Sequence, residues 1–357
     1  MENKGFLYKW GKGMYKGRKF VIAFWVIALL ISLYFVQFVM DAFPDSGLYA
    51  EGSESDQGTQ IIQNDLDAAK TTLHIAVVGE ETLQKDEILS HFEKEVQNID
   101  YVEGVAPFKT EENNENLHKT AFELDLSIEE KKTLELFDDL KETITAPEGT
   151  EIFIAGYPAL LDDFSTATIA GIAKAEKIGL PIAFIVLLLV FGTIIAGMLP
   201  IVVGAISIIV TLGITYFLTM FNDYSNFMPT VVAMLGMALG IDYALFMISR
   251  FREELKKGLP IQEAIANTSQ RAGKSVLFSG VAVLVGLLGM LFIKLNVFMS
   301  IAIGGSIVVG MSVVVCLTML LALLGVLGHW VNRWHVIPKR FRKNLKVLCG
   351  KKLPGLS

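Results

Sequence analysis

Two adjacent residues inside an apolar stretch, Asp242 and Tyr243, have the types that could do chemistry. They stand in MLGMALGIDYALFMISRF, Met234–Phe251, and nearly everything else between Phe227 and Ile248 is apolar or small. A carboxylate near the middle of such a run costs about 2.5–3.5 kcal/mol on insertion scales. It must find a partner or stay protonated. At about 100° per residue on a helix, Asp242 shares its face with Leu235, Ala238, Leu239, Leu245, Phe246 and Ser249, apolar apart from Ser249. Tyr243 stands about 100° round and can donate a hydrogen bond to a neighbouring acid. The chemistry this suggests is a proton relay. The plainer alternative is a polar clamp between helices.

Small residues supply the packing that would position this pair. Gly236 and Gly240 form a G-x-x-x-G on Tyr243's side of the helix, where a neighbouring helix can come close. Ser275, Ser279, Ala282, Gly286 and Gly289 fall within about 40° of one helical line. This stripe predicts a tight helix contact that brings Ser279 toward Asp242. Pure packing and a direct role for Ser279 both remain open at this point.

The 357-residue chain is 52% hydrophobic and only 19% charged, and its charge is unevenly spread. Residues 41–176 hold 31 of the 37 acids and 9 of the 31 basic residues. The remainder is both basic and strongly apolar, which points to a membrane protein and away from nucleic-acid binding. The two cysteines, Cys316 and Cys349, lie outside the acidic segment, so that segment folds without disulfides. The five histidines are scattered, with no metal-ligand spacing, no hydrolase or ligase constellation and no phosphate loop. The expectation is a non-enzyme with no metal and no cofactor, protons being the coupling ion.

Six windows have the apolar length of a membrane span: Phe20–Met40, Ile178–Ile195, Met198–Met220, Phe227–Ile248, Ser275–Ile293 and Val297–Leu327. The second and third are parted by a hinge predicted around Gly197 and Pro200. Residues 1–19, 250–274 and 329–357 carry six, six and eight basic residues, against one acid in the first, three in the second and none in the third. The positive-inside rule puts all three on one side. Both termini are then cytoplasmic in a multi-pass protein of the cell membrane, and 41–177 is extracytoplasmic.

The domain reading follows: a cytoplasmic start (1–19), helix 1 (20–40), an exported α+β domain (41–177), helices 2–6 (178–327) and a basic cytoplasmic tail (328–357). Alternation and periodicity in the exported segment predict strands at 71–79, 101–108, 120–128 and 151–156. They predict helices at 56–69, 84–99, 129–144 and 157–177. From 71 to 156 the order is β-α-β-β-α-β, a ferredoxin-like unit. Residues 258–274 look like a short helix at the cytoplasmic interface, and Trp330 and Trp334 like interfacial anchors.

Gly240-Ile241-Asp242-Tyr243, the charged exit SRFREEL (249–255) and SVLFSG (275–280), with this topology, resemble the MmpL/YdfJ-like branch of the resistance-nodulation-division (RND) transporters. The resemblance implies that Asp242 and Tyr243 form a proton-relay pair and that Phe246 and Ser279 line the same site; Ser249 is a further candidate because it shares Asp242's face of the helix. It implies an α-helical integral membrane protein with six transmembrane helices and one exported βαββαβ domain. It implies proton-driven export of a lipid, drug-like or other hydrophobic or amphiphilic substrate, in contact with membrane lipids. The family pattern is an internal duplication with twelve spans, whereas this chain carries one set. A second half is therefore expected as partner, from a homodimer or a homologous chain, unless the chain is a shortened one. A Sec-type accessory for protein export and a non-transporting sterol-sensing scaffold are the other readings.

Overall fold

In the computed structural model, residues 5–39, 42–43, 52–65, 69–79, 84–107, 119–128, 133 and 136–334 are described. The basic tail from 335 onward, Cys349, His118, His335, the polar turn before 119, most of the lead-in at 42–55 and the start of the helix predicted at 129 lie outside them. The chain divides into two compact units, Pro44–Ile172 and a unit formed by Met1–Phe43 with Ala173–Ser357.

The first unit begins with α3 (Glu54–Asp65) and continues β1 (Thr71–Gly79), α4 (Lys85–Val96), β2 (Val102–Pro107), β3 (Lys119–Leu126), α5 (Phe137–Thr143) and β4 (Thr150–Ala155). The strands make one antiparallel sheet in the order β2-β3-β1-β4. Alternation fixes its register, because Leu73 pairs with Leu124 and Ile75 with Phe122. These side chains are fully buried. They pack under Ile88, Phe92 and Val96 of α4 and Phe137 and Leu140 of α5. The structure thus shows a small antiparallel sheet with two helices on one face.

The second unit is helical. A short α1 (Phe6–Lys16) precedes α2 (Arg18–Val36). A 35-residue helix, α6 (Tyr157–Phe191), starts in the first unit and continues into this one from Ala173, joining what the sequence reads as a helix at 157–177 to its second apolar run. Then come α7 (Ile194–Leu218), α8 (Phe227–Lys256) and α9 (Ile261–Thr268). A π-turn at Ser269–Gly273 carries α9 without a break into α10 (Lys274–Leu288). A second π-turn at Cys316–Leu320 joins α11 (Asn296–Val315) to α12 (Leu321–Leu327). Among the described residues, five helical stretches are long and apolar enough to cross a membrane: Arg18–Val36, Ile194–Leu218, Phe227–Lys256, Ile261–Phe292 and Asn296–Asn332. The chain is a multi-pass membrane protein.

Three sequence expectations are corrected here. The break between the second and third apolar runs falls at Gly192 (φ +69°), while Gly197 and Pro200 lie inside α7. The break is fixed by distant partners: Thr193 Oγ1 donates to Val331 O at 3.0 Å and Ile194 N–H to Trp334 O at 3.3 Å. The segment 258–274, expected as a short helix at the cytoplasmic interface, is not a separate surface helix. Ala264, Ile265, Ala266 and Thr268 are buried, and the helix runs on into the next span. Residues 6–16, read from sequence only as a basic lead, form α1 with Tyr8 and Gly11 buried.

Candidate functional site

The helix that carries Asp242 is held at both ends. Phe227 N–H donates to Ser225 Oγ at 3.3 Å, and Ser225 N–H donates to Ser300 Oγ at 2.8 Å. Pro229 sits in the first turn of α8, where its missing N–H is not needed. Gly258 (φ +80°) follows the last turn, as the left-handed stop requires.

Along its middle α8 presses on α7 through glycines. A Cβ at Gly240 would lie 2.5 Å from Gly204 Cα, and one at Gly236 would lie 2.6 Å from Ile208 Cγ1 and 2.8 Å from Val308 Cγ2. This contact leaves no room to rotate α8. It turns Tyr243, 5% exposed, inward and Asp242 outward.

Tyr243 points at a three-helix junction. A Cβ at Gly280 of α10 would stand 3.9 Å from the Tyr243 hydroxyl and 2.6 Å from Val313 Cγ2 of α11. Ser279 stands within hydrogen-bonding reach of that hydroxyl, and Cys316 and Asp242 interact with it electrostatically. Yet it forms no hydrogen bond of full geometry, and neither do the buried hydroxyls of Ser312 and Thr211. A buried hydroxyl without a partner costs about 1–3 kcal/mol, so such groups collect where a proton or a water must be handled. Sequence reading missed Gly280, Val313, Cys316 and Ser312. The signal for Gly280 was present in SVLFSG, directly after Ser279.

Asp242 lies on the exposed side of α8 with Met234, 62% exposed, and Phe246, 50% exposed, while Ser249 is partly buried. The Tyr243 side and the Asp242 side are therefore different surfaces of one helix. The stripe Ser275, Ser279, Ala282, Gly286 and Gly289 is exposed on α10. A Cβ at Gly286 or Gly289 would meet nothing within 4 Å. Within this chain the tight contact of α10 is instead made by Val276 and Gly280, because that side faces Tyr243 and α11.

The motif SRFREEL builds a charge network at the end of α8. Glu254, 2% exposed, pairs with Arg250 and with Lys257, each at 2.7 Å. Asn267 Nδ2 donates to it at 3.2 Å. Arg252 donates to the last carbonyl of α6, Phe191 O, at 2.8 Å and to Asn332 Oδ1 at 2.7 Å. Among the described residues no cluster of His, Cys, Asp or Glu is placed to hold a metal ion.

The profile of the MMPL family matches residues 116–347. The "Mycolic acid-containing lipids exporter MmpL11" of Mycolicibacterium smegmatis is 35% identical over 201 residues, covering 54% of this chain and 21% of that protein. The "Trehalose monomycolate exporter MmpL3" of Mycobacterium tuberculosis is 31% identical over 185 residues, covering 52% and 20%. "Heme uptake protein MmpL11" of Mycobacterium tuberculosis is 33% identical over 160 residues, covering 45% and 17%. The matched stretch thus spans about a fifth of each relative's length. Among solved structures, SecDF in its super-membrane-facing form is similar over 95% of this chain and 40% of its own, with 11% identity and a TM-score of 0.45.

Proposed function

The chain belongs to the MMPL family, the MmpL branch of the RND superfamily, and from that premise we propose that it is a proton-driven exporter of lipids or similar amphiphiles. Asp242 and Tyr243 form the relay. Two of the relatives are named as lipid exporters. The single observation that carries the reading is an acid on the outward side of α8, one residue from a buried tyrosine hydroxyl that has no formed hydrogen bond. Protonating Asp242 removes a charge from the membrane interior, and the two protonation states favour different helix packing. One proton falling through the membrane potential contributes about 2.3 kcal/mol per 100 mV. That shifts a two-state equilibrium by more than tenfold.

In this reading the second half of α6, which ends in the apolar stretch Ile178–Phe191, forms the sixth span, both termini are cytoplasmic, and the sheet domain is a ferredoxin-like unit facing outward. The test is export of lipid from proteoliposomes with an imposed proton gradient. Export should stop when a protonophore collapses it. Export that continues unchanged overturns the coupling.

The chain acts as one half of the transporter. The side of α8 that carries Asp242, Met234 and Phe246 is exposed, and an ionised carboxylate facing lipid is costly. A second copy or a homologous half covers it. A cysteine at Phe246 should cross-link between chains under mild oxidation, whereas one at the fully buried Met247 should not. Equal cross-linking at both positions, or at neither, overturns the interface.

A further inference from the structure

Two π-turns, Ser269–Gly273 and Cys316–Leu320, face each other at the ends of the helices that flank Tyr243. A Cβ at Gly273 would lie 2.9 Å from Leu317 Cδ2, so the turns touch. A π-turn closes its hydrogen bonds over five residues and inserts one residue into a helix. Beyond it, each position on the helix surface is taken by the residue one place later than an unbroken helix would put there. The first π-turn therefore decides which residues of α10 stand at the Tyr243 hydroxyl: Gly280 packed against it and Ser279 beside it, within reach but short of full hydrogen-bond geometry.

The helix α1 touches both turns. Trp10 Nε1 donates to Leu317 O at 2.9 Å. Gly11 lies so close that a Cβ there would fall 2.8 Å from Ser269 Cβ and 3.0 Å from Ala266 Cα. Tyr8 donates to Glu263 of α9, and Lys12 pairs with the same carboxylate at 2.6 Å. From α2, Trp25 Nε1 donates to Thr318 Oγ1 at 3.0 Å, and Thr318 in turn donates to Val314 O at 2.6 Å. Tryptophan N–H groups thus supply the irregular segment with outside donors, which a lone π-turn would lack.

We propose that Trp10 is a positioning residue for the Tyr243 centre, because α1 clasps both π-turns and so sets the rotational phase of α10. Releasing α1 lets the first turn relax to ordinary helix. Ser279 then moves from its place beside the Tyr243 hydroxyl into the place of Gly280, where its Cβ would meet Val313 Cγ2 at 2.6 Å and push that methyl aside. The clasp is thus a control on the relay held at the membrane surface. Its geometry rests on packing alone. Its consequence for transport rests on the relay reading above.

The test uses the full chain with Cys316→Ala and Cys349→Ala, carrying one cysteine at Ser275 or at Val276 and labelled with N-ethylmaleimide in detergent. With α1 in place, Ser275→Cys reacts and Val276→Cys does not, because Ser275 is exposed and Val276 is 2% exposed. Gly11→Leu, which forces α1 away, should lower the reactivity of Ser275→Cys at least tenfold, because it moves into the buried place of Val276, and raise that of Val276→Cys, which moves into the half-buried place of Leu277. Trp10→Phe, which removes only the N–H, should move them part of the way. A pattern that stays in place while fast hydrogen exchange of the 6–16 amides shows α1 released overturns the proposal. So does a uniform rise at both positions, which would mean loosened packing and no change of phase. No proton or substrate enters this measurement. If the change of phase occurs and Asp242→Asn still exports normally, the relay fails and the clasp stands.

Discussion

Asp242→Asn should reduce proton-driven export to the background of empty vesicles while the protein still inserts at wild-type level. Asparagine has nearly the size of aspartate and cannot ionise, so it mimics the protonated state permanently. The side chain lies on the exposed side of α8 and packs no core residue, so the fold has little reason to change. The loss is the whole of the driving term, about 2.3 kcal/mol per proton per 100 mV. Wild-type export at equal membrane abundance would sink the relay. Tyr243→Phe makes the companion measurement. Its hydroxyl makes no formed hydrogen bond, so removing it should leave stability unchanged or slightly higher. Any fall in export would then report chemistry and not damage.

Gly240→Ala should destabilise the membrane unit by about 1–3 kcal/mol, the usual cost of overpacking. The atom in the way is Gly204 Cα, which is backbone and cannot rotate aside, so α7 and α8 must separate. Membrane helices associate through close packing of this kind, and lost contact is not replaced by a hydrophobic force. Gly236→Ala meets side-chain atoms, Ile208 Cγ1 and Val308 Cγ2, and no backbone of another helix, and should cost less. Gly286→Ala meets nothing and should cost nothing beyond noise. The order Gly240, Gly236, Gly286 should appear in thermal unfolding midpoints in detergent. Equal midpoints for the first and last would refute the close crossing of α7 and α8.

The membrane helices and the strands were legible because their signal is periodic and local. Runs such as Phe227–Ile248 announce themselves by length, and β1 by its alternation. The Asp242–Tyr243 pair was legible because an acid in such a run stands out. What could not be read depended on partners far away in the chain. The helix break at Gly192 is set by Val331 and Trp334, while Pro200 is accommodated inside α7. The small-residue stripe on α10 was read as the contact side, but the π-turn before it shifts the phase by one residue. No hydropathy pattern encodes a π-turn, because it is a choice of hydrogen-bond register. The helix α1 escaped notice because it is short, basic and interrupted by Gly11 and Gly13.

The bond from Thr193 to Val331 also orders events in time. The two residues are 138 positions apart. A ribosome adds about 5–20 residues per second, so the start of α7 waits roughly 7–28 s for its acceptor. During that interval Arg252 likewise lacks Asn332. The junction of α6 and α7 is therefore sealed last, by a segment synthesised after every helix it joins. A newly made chain halted before residue 331 would leave Thr193 and Ile194 without their acceptors, and a chain carried past 334 would not.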